Sequence, residues 1–251
     1  MMAKKSFWKL PAALAVSMAL LLASCGGDDG PNIPVSNAGL GTSPEALTLS
    51  GYVYEFVWLN FDFDPFIPTT TITDITTLPT PLDVTGEIDV NGQFSFVLPD
   101  TVPAALLVPF AQAANMEGIS MEDVPNVSIS HPNAQAFSVI DFRIQHPAPP
   151  ISPLYDGRLW RGDFGGNIEN MYLVIENVSF VYVDMNVTLT LSQAFSQPIG
   201  NGGTITMNPF TIHYSQGWNA IHTRAVPTEN GITVSVRGGD SAGLRWIKGI
   251  F

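Results

Sequence analysis

The sequence predicts a mainly β protein: an antiparallel β-sandwich, or a sandwich-like barrel, with one short helix, after an N-terminal signal helix. Charged residues make up only 13% of the 251 residues, whereas 22 Gly and 20 Pro interrupt the chain at short intervals. β-Branched and aromatic residues fill the runs between these breakers, which favours strands over long helices. The runs recur roughly every 8 to 12 residues, as they do in sandwiches and barrels.

The chain begins with a basic segment followed by a short apolar run. Lys4, Lys5 and Lys9 precede an apolar stretch over residues 10–24. This stretch is shorter than the roughly 20 apolar residues that an ordinary transmembrane helix needs. A basic start, a short apolar segment and small residues at its end are typical of a secretory signal peptide. We therefore expect residues 1–24 to be removed on export.

The end of this segment, Leu22-Ala23-Ser24-Cys25, resembles the lipobox of bacterial lipoproteins. That motif is a Leu, two small residues and an invariant Cys. The resemblance implies cleavage before Cys25 and attachment of diacylglycerol to its sulfur, whereas a plain signal peptide or a membrane-spanning anchor is the alternative. Cys25 is the only Cys of the chain. A folded body without Cys has neither a disulfide nor a Cys-based metal site.

Residues 25–45 are rich in Gly, Pro, Asn and Ser, which predicts a flexible tether. Gly26 stands where enterobacterial lipoproteins retained at the inner membrane carry Asp, so the resemblance implies the outer membrane. Asp28 and Asp29 are similar to the acidic export signal of some Bacteroidetes surface lipoproteins. Both the periplasmic face and the cell-surface face of the outer membrane therefore stay open.

The mature chain is strongly acidic. Loss of residues 1–24 removes 3 of the 10 Lys and Arg residues and none of the 22 Asp and Glu residues, which leaves a formal charge of about −15. This charge argues against a nucleic-acid partner and against docking on anionic headgroups, because both depend on Lys and Arg. The expected partners are the membrane, through the lipid on Cys25, and a glycan or an envelope protein.

Residues 46–251 are expected to form one sandwich domain. The Pro-rich segment 146–153 is the best internal boundary if there are two domains. A β-prone run over residues 47–58 opens the domain and continues to residue 64, before Pro65. Alternation in this run predicts a half-buried strand. Its apolar face carries Leu59, Phe61 and Phe63, and its polar face carries Trp58, Asn60, Asp62 and Asp64.

Residues 82–90 and 93–98 predict a hairpin around Asn91-Gly92. Asn-Gly supplies the positive φ angles that a two-residue type I′ turn requires. Residues 104–116 predict a short helix that Pro109 kinks or splits. Residues 160–168 are Gly-rich and predict a loop. Residues 171–191 predict two strands or one bent strand, and further strands are expected at 127–130, 137–145, 204–207, 210–214, 218–222, 232–237 and 244–247.

Two parts of the body resemble known envelope proteins. Residues 50–53, 86–88 and 91–96 resemble transthyretin-like carboxypeptidase regulatory domains, which are small β-sandwiches. Residues 217–219 and 244–247 are similar to the C-terminal hairpins of uncharacterised bacterial lipoproteins. The first resemblance supports a sandwich, and the second implies no activity.

No catalytic or metal-binding set is recognisable. The chain has no Gly-x-Ser-x-Gly nucleophile motif, and a body without Cys excludes a thiol enzyme. The four His residues show neither His-x-His nor His-Glu-x-x-His spacing. His213 and His222 flank Gly217 and are candidates for neighbouring strands. We expect no catalytic residue, no bound metal and no cofactor.

Two binding hypotheses involve the run that ends at residue 64. Asn60, Asp62 and Asp64 resemble the start of a calcium loop, but Pro65 replaces the required Gly and Thr71 replaces the closing Glu. A carbohydrate platform is the second hypothesis, with Trp58, Asn60 and Asp62 as tentative ligand-binding residues. Packing in the core is the alternative for its candidate aromatic side chains, Trp58, Trp160, Trp218 and Trp246.

Together these observations predict a lipid-anchored protein of the cell envelope with a non-enzymatic role in binding, adhesion or assembly. A carbohydrate-active or other hydrolytic envelope lipoprotein is the alternative. Two facing acids in a pocket would favour the hydrolytic alternative, because glycoside hydrolysis uses a pair of carboxyl groups. A shallow aromatic patch or an exposed sheet edge would favour binding.

Overall fold

Strands dominate the computed structural model, which describes residues 35–37, 46–57, 62–114, 121, 124–145, 157–167, 172–199, 203–239 and 244–249. The predictions for the signal peptide, for Cys25 and for the connector at 146–153 lie outside these residues. The strands are β1 Val35–Asn37, β2 Leu47–Val57, β3 Asp62–Pro65, β4 Asp74–Pro79, β5 Thr85–Ile88, β6 Gln93–Leu98, β7 Val108–Pro109, β8 Val127–Ile129, β9 Gln135–Gln145, β10 Gly157–Asn167, β11 Tyr172–Val183, β12 Val187–Leu191, β13 Phe195–Ile199, β14 Gly203–Met207, β15 Phe210–Tyr214, β16 Gly217–Thr228, β17 Gly231–Gly238 and β18 Arg245–Gly249.

These strands form two sheets that pack as a sandwich-like fold. The small sheet has the order β1-β15-β12-β8. The large sheet has the order β13-β14-β17-β16-β11-β9-β10-β18-β2-β6-β5, with β3 beside β2 and with β4 and β7 beside β9. Most neighbours are antiparallel, and the parallel pairs are β1–β15, β14–β17 and β18–β2. The predicted mainly β, sandwich-like class is therefore confirmed.

The first core lies inside the curve of the large sheet. Side chains of β6 pack against side chains from the middle of the same sheet: the ring centroids of Phe94 and Trp246 are 5.0 Å apart, and those of Phe96 and Phe142 are 5.7 Å apart. The Trp218 indole Nε1 donates a hydrogen bond to the Pro99 carbonyl oxygen at 2.7 Å. These contacts hold β6 over β9 and β16.

The second core separates the large sheet from the small one. Val181 and Ile221 of the large sheet and Leu189 and Ile212 of the small sheet are buried in it. On β11 and β16 the intervening residues, such as Phe180, belong to the first core. Because successive side chains of a strand point to opposite faces, these two central strands supply both cores.

The predicted hairpin is confirmed, but its turn is not the predicted two-residue type I′ turn. Asp89 N donates to Gln93 O at 2.8 Å, so three residues separate the last paired positions. Gly92 has φ +76°, whereas Asn91 does not have the positive φ that a type I′ turn requires. The Asp89 carboxylate accepts hydrogen bonds from the backbone N–H groups of Asn91 and Gln93, which stabilises the longer turn.

Near the N-terminus of the domain, two segments differ from expectation. The run through residue 64 is not one strand, because the chain reverses between β2 and β3 and pairs Val57 with Asp62. Residues 35–37, inside the predicted tether, form β1 and pair with β15. The paired part of the chain therefore starts closer to Cys25 than the sequence indicates.

The predicted helix is split at Pro109, as expected. A 3₁₀ turn covers Ala104–Leu106, β7 follows, and the α-helix α1 covers only Phe110–Ala113. None of the helices that the structure describes has the length and apolar character needed to cross a membrane.

Residues 171–191 form two strands, β11 and β12, as one of the two predicted arrangements requires.

The Gly-rich segment 160–168 is a strand and not the predicted loop, since β10 runs from Gly157 to Asn167. Gly162 pairs with Asn177 of β11. A Cβ atom at Gly162 would collide with the Glu176 carbonyl oxygen and with the Trp160 ring. Here glycine permits a close approach between strands, which is a recognised role of glycine within sheets.

We expect Gly162→Ala to lower the free energy of unfolding by more than about 2 kcal/mol, because backbone and an indole ring would both have to move. Gly203→Ala is the matched control in another strand. Its Cβ would lie 3.1 Å from the Ile199 side chain and 3.8 Å from the Asn230 carbonyl oxygen, without a collision with backbone, and we expect a loss below about 1 kcal/mol. Urea unfolding of both variants measures the difference. Equal losses would contradict the close-approach explanation.

Candidate functional site

A cluster of charged side chains lies on the first-core face of the large sheet. Residues that pair across neighbouring strands point to the same side of a sheet. One such row contains Asp163, Glu176 and Arg224, and the next contains Arg161, His222 and Arg237. We call these residues the charged cluster, together with Arg245 at the start of β18, which pairs with Gly162 and joins the cluster through its side-chain contact with Asp163.

The charged cluster continues the face that forms the first core. Every second residue of β11 and β16 belongs to that face. Along both strands this face is aromatic or apolar at one end and charged at the other. The sequence of side chains on this face is Tyr182, Phe180, Val178 and Glu176 on β11, and Trp218, Ala220, His222 and Arg224 on β16.

Exposure increases from the floor of the charged cluster to its rim. The His222 side chain is 1% exposed, that of Glu176 is 25%, that of Asp163 is 33% and that of Arg245 is 40%. His222 Nε2 lies 3.8 Å from Glu176 Oε2, which is an ion-pair distance beyond hydrogen-bond reach. The cluster is thus half-buried, with a buried imidazole on one side and charged groups that reach solvent on the other.

Two arginines of the charged cluster are held by specific contacts. Arg245 Nη1 donates to Asp163 Oδ1 at 2.8 Å, and its guanidinium carbon lies 4.5 Å from the centre of the Phe63 ring. Arg161 Nη1 donates to the Leu244 carbonyl oxygen at 3.0 Å, and its guanidinium carbon lies 5.7 Å from the Trp246 ring centre. Stacking on aromatic rings and hydrogen bonding both restrict the rotamers of a guanidinium group.

Positive charge exceeds negative charge in the charged cluster. Four of the seven basic residues that follow Cys25 belong to it, against two of the 22 acidic residues. Burial raises the pKa of the Glu176 carboxyl; Arg224 opposes this effect and the Asp163 charge adds to it. Arg224 Nε is buried and has no hydrogen-bond partner among the described residues. This arrangement suits an anionic ligand, because guanidinium groups bind carboxylates and phosphates directly.

The tentative ligand-binding residues are only partly described. Trp58 and Asn60 lie outside the described residues, and Cys25 does as well. Asp62 is exposed on β3, where its carboxylate accepts a hydrogen bond from the Phe63 N–H at 2.8 Å. Asp62 lies on β3, which pairs antiparallel with β2, so it does not continue the strand face of β2. The role of Trp58, Asn60 and Asp62 in binding stays a prediction.

The other candidate aromatic residues are core residues. Trp160, Trp218 and Trp246 are 6%, 5% and 4% exposed. The Trp246 ring is stacked with Phe180, with centroids 6.1 Å apart. An exposed carbohydrate platform made of these three rings is therefore wrong, and the core alternative holds for them.

The prediction that His213 and His222 lie on neighbouring strands is wrong. His213 is exposed on β15 of the small sheet, whereas His222 is buried on β16 of the large sheet. His213 Nδ1 is 2.9 Å from Thr188 Oγ1, and His131 Nδ1 is 3.0 Å from Ser130 Oγ. These four residues line a shallow groove of about 450 Å³ on the small sheet. His146 lies outside the described residues.

Metal-ligating groups do not converge in the part of the chain that the structure describes. No group of three or more His, Asp or Glu side chains is placed there to hold a metal ion. Asp62 and Asp64 are both exposed on β3, as alternation on a short strand requires. The calcium hypothesis for residues 60–64 stays a prediction, because Asn60 is outside the described residues.

Sequence reasoning missed the charged cluster. Its members come from five separate strands, and no short motif connects them. A signal is nevertheless present in single strands: Glu176 interrupts the apolar run of β11, and Arg224 does the same in β16. A charged residue at a position where alternation predicts a buried side chain marks a polar part of the interior.

The charged cluster predicts a specific pH dependence. A carboxyl whose pKa is raised on folding stays protonated in the folded chain at pH values at which it is already ionised in the unfolded chain. The contribution of Glu176 to stability is therefore present below its ordinary pKa of 4.5 and is lost as the pH rises above it. As the pH rises from 4 to 7, the free energy of unfolding of the wild type should fall relative to that of the Glu176→Gln variant. Urea unfolding at pH 4 and pH 7 tests this, and parallel pH profiles would contradict it.

Comparison of the chain with protein-family models, curated proteins and solved structures found no match.

Proposed function

We propose that the protein is a lipid-anchored protein of the bacterial cell envelope that binds a ligand in the charged cluster without changing it chemically. The binding role is carried by one observation. In a chain of strongly negative charge, four of the seven basic residues after Cys25 meet in one half-buried cluster on the large sheet. Adhesion and assembly are the envelope roles that such binding serves, with a glycan or an envelope protein as the partner.

The anchor is supported by the lipobox-like segment that ends at Cys25. Residues 26–34 separate Cys25 from β1, and this length of chain spans at most roughly 35 Å. A lipidated Cys25 therefore keeps the sandwich near the membrane surface. The outer membrane is the proposed location, on its periplasmic or its cell-surface face.

We expect Cys25→Ala to abolish lipidation and to release the protein from membranes. Metabolic labelling with palmitate and detergent phase partitioning measure the two effects. Ser24→Ala is the control, because it keeps a small residue before the cysteine and should remain labelled and membrane-bound. Equal labelling of the wild type and Cys25→Ala would show that this thiol is not the anchor.

A hydrolytic function is the second candidate, and one observation favours it. Asp163 and Glu176 are direct cross-strand neighbours on the same face. The Cβ atoms of such neighbours are roughly 4.5–5.5 Å apart, and retaining glycosidases place their carboxyl groups roughly 5–5.5 Å apart. Burial raises the pKa of Glu176, whereas Asp163 is paired with Arg245. A proton donor beside an ionised carboxylate is the arrangement that this chemistry uses.

The pairing of Asp163 with Arg245 favours binding over hydrolysis, because Arg245 Nη1 contacts the carboxylate that would have to attack a sugar. We therefore expect the purified protein to release no reducing ends from neutral or acidic oligosaccharides over a day of incubation. A reducing-end assay with the wild type, Glu176→Gln and Asp163→Asn tests this. Turnover that is present in the wild type and lost in both variants would replace binding with hydrolysis.

A further inference from the structure

A shallow groove lies at one end of the outer face of the small sheet, on a different sheet from the charged cluster. Thr188 and His213 face it from β12 and β15, since their neighbours Leu189 and Ile212 are buried in the second core. The groove holds about 450 Å³, within the roughly 300–1,000 Å³ that is typical of small-molecule sites. The polar residues that line this small-sheet groove are Ser130, His131, Asn186, Thr188, His213 and Ser215.

Among the described residues, no charged side chain lines the small-sheet groove. The four strands of the small sheet contain no Lys, Arg, Asp or Glu, although the whole chain has 10 Lys and Arg and 22 Asp and Glu residues. An ion that leaves water needs an opposite charge beside it. The groove therefore suits a neutral ligand, whereas the charged cluster suits an anion.

Three side chains of the groove are each held through one polar atom. His131 Nδ1 lies 3.0 Å from Ser130 Oγ, His213 Nδ1 lies 2.9 Å from Thr188 Oγ1, and Asn186 Oδ1 accepts a hydrogen bond from a backbone N–H at 2.8 Å. Their second polar atoms, Nε2 of both imidazoles and Nδ2 of the amide, have no hydrogen-bond partner among the described residues. Groups that are already oriented cost less entropy when a ligand binds.

The walls of the groove are also fixed before any ligand binds. The Ser130 N–H donates to the Thr188 carbonyl oxygen at 3.0 Å, and the Thr188 N–H donates to Ser130 Oγ at 2.9 Å. After β15, the Ser215 N–H donates to Oδ1 of the buried Asn219 at 2.9 Å, and Asn219 Nδ2 donates to the Ser215 carbonyl oxygen at 2.8 Å. The small-sheet groove is therefore a preformed site.

The exposed lining favours a ligand that forms hydrogen bonds over an apolar one. Val187 and Tyr214, the apolar and the aromatic member of the lining, are only 2% and 3% exposed. A lipid or an apolar peptide is bound through apolar pockets, which these buried side chains do not supply. Hydroxyl and amide groups both donate and accept hydrogen bonds, and a neutral imidazole does one of the two at each nitrogen. A sugar is a neutral ligand that presents matching groups, because each of its hydroxyls both donates and accepts.

We propose that the small-sheet groove binds a neutral sugar of one or two units. Asn186 Nδ2 donates to a sugar oxygen, while His131 Nε2 and His213 Nε2 exchange hydrogen bonds with sugar hydroxyls. The binding breaks no covalent bond and requires no cofactor. It gives the protein a second site, which does not depend on the charged cluster.

The test is an NMR titration of the mature, lipidated protein in micelles of a detergent without sugar groups. The probes are cellobiose, maltose and N,N′-diacetylchitobiose, and the readout is the ring signals of the four His residues. At least one probe should shift the signals of His131 and His213 with a dissociation constant on the order of 1 mM, as neutral hydrogen bonds in an open groove give. The His222 signal should stay in place, because this ring is buried in the other sheet.

Two threonines of β12 provide a matched pair of variants. Thr188→Val removes the hydroxyl that holds His213 and should weaken sugar binding about three- to tenfold, the effect of one neutral hydrogen bond. Thr190→Val makes the same change two residues away on the same face. Its hydroxyl contacts Thr211 Oγ1 at 3.3 Å and does not line the groove, so this variant should bind like the wild type. Both variants keep a β-branched residue, which suits a strand.

A double variant, His131→Ala with His213→Ala, tests the assigned contacts directly. The loss of two neutral hydrogen bonds should weaken binding at least about fivefold. Equal affinity in this variant and the wild type would place the sugar elsewhere and overturn the proposal. The proposal also fails if none of the three sugars shifts His131 and His213. Shifts of these two signals by Zn²⁺ alone, with no effect of any sugar, would make the groove a metal site instead.

Discussion

The pairing of β11 with β16 is the interaction on which the rest of the structure depends. The two strands are paired from Ile175 opposite Ala225 to Val183 opposite Gly217. Along this ladder, alternate residues enter different cores, since Phe180 belongs to the first and its neighbour Val181 to the second. A shift of one residue would move every side chain to the wrong face. Both cores therefore specify one register, and each reinforces the other.

This register also creates the charged cluster. The face that carries Phe180 and Ala220 continues to Glu176 and Arg224, so charged groups lie where the strands would otherwise extend the core. Removing charges from water is costly unless they are paired. The ion pair of Arg245 with Asp163 offsets part of that cost. Basic side chains still outnumber acidic ones in the charged cluster, which is the charge balance that an anionic ligand requires.

Sequence reasoning succeeded where the signal is local and failed where it depends on distant contacts. Alternation and Pro109 were enough to predict the strands of the hairpin and the split helix. The loop expected around Gly162 is a strand. Glycine is needed there because the Glu176 carbonyl oxygen and the Trp160 ring leave no room for a Cβ atom. The hairpin turn is longer than expected, because the Asp89 carboxylate accepts hydrogen bonds from the backbone N–H groups of Asn91 and Gln93. The charged cluster was missed because only the strand register brings its members together.

A strongly acidic protein can still hold an anion at the charged cluster, because the two electrostatic effects act over different distances. At physiological ionic strength, charges on exposed surfaces are screened beyond roughly 8 Å. Guanidinium groups of the charged cluster act at contact, beside the buried His222, where water screens them less. An anion bound at the charged cluster therefore does not require the net charge of the whole protein to be positive.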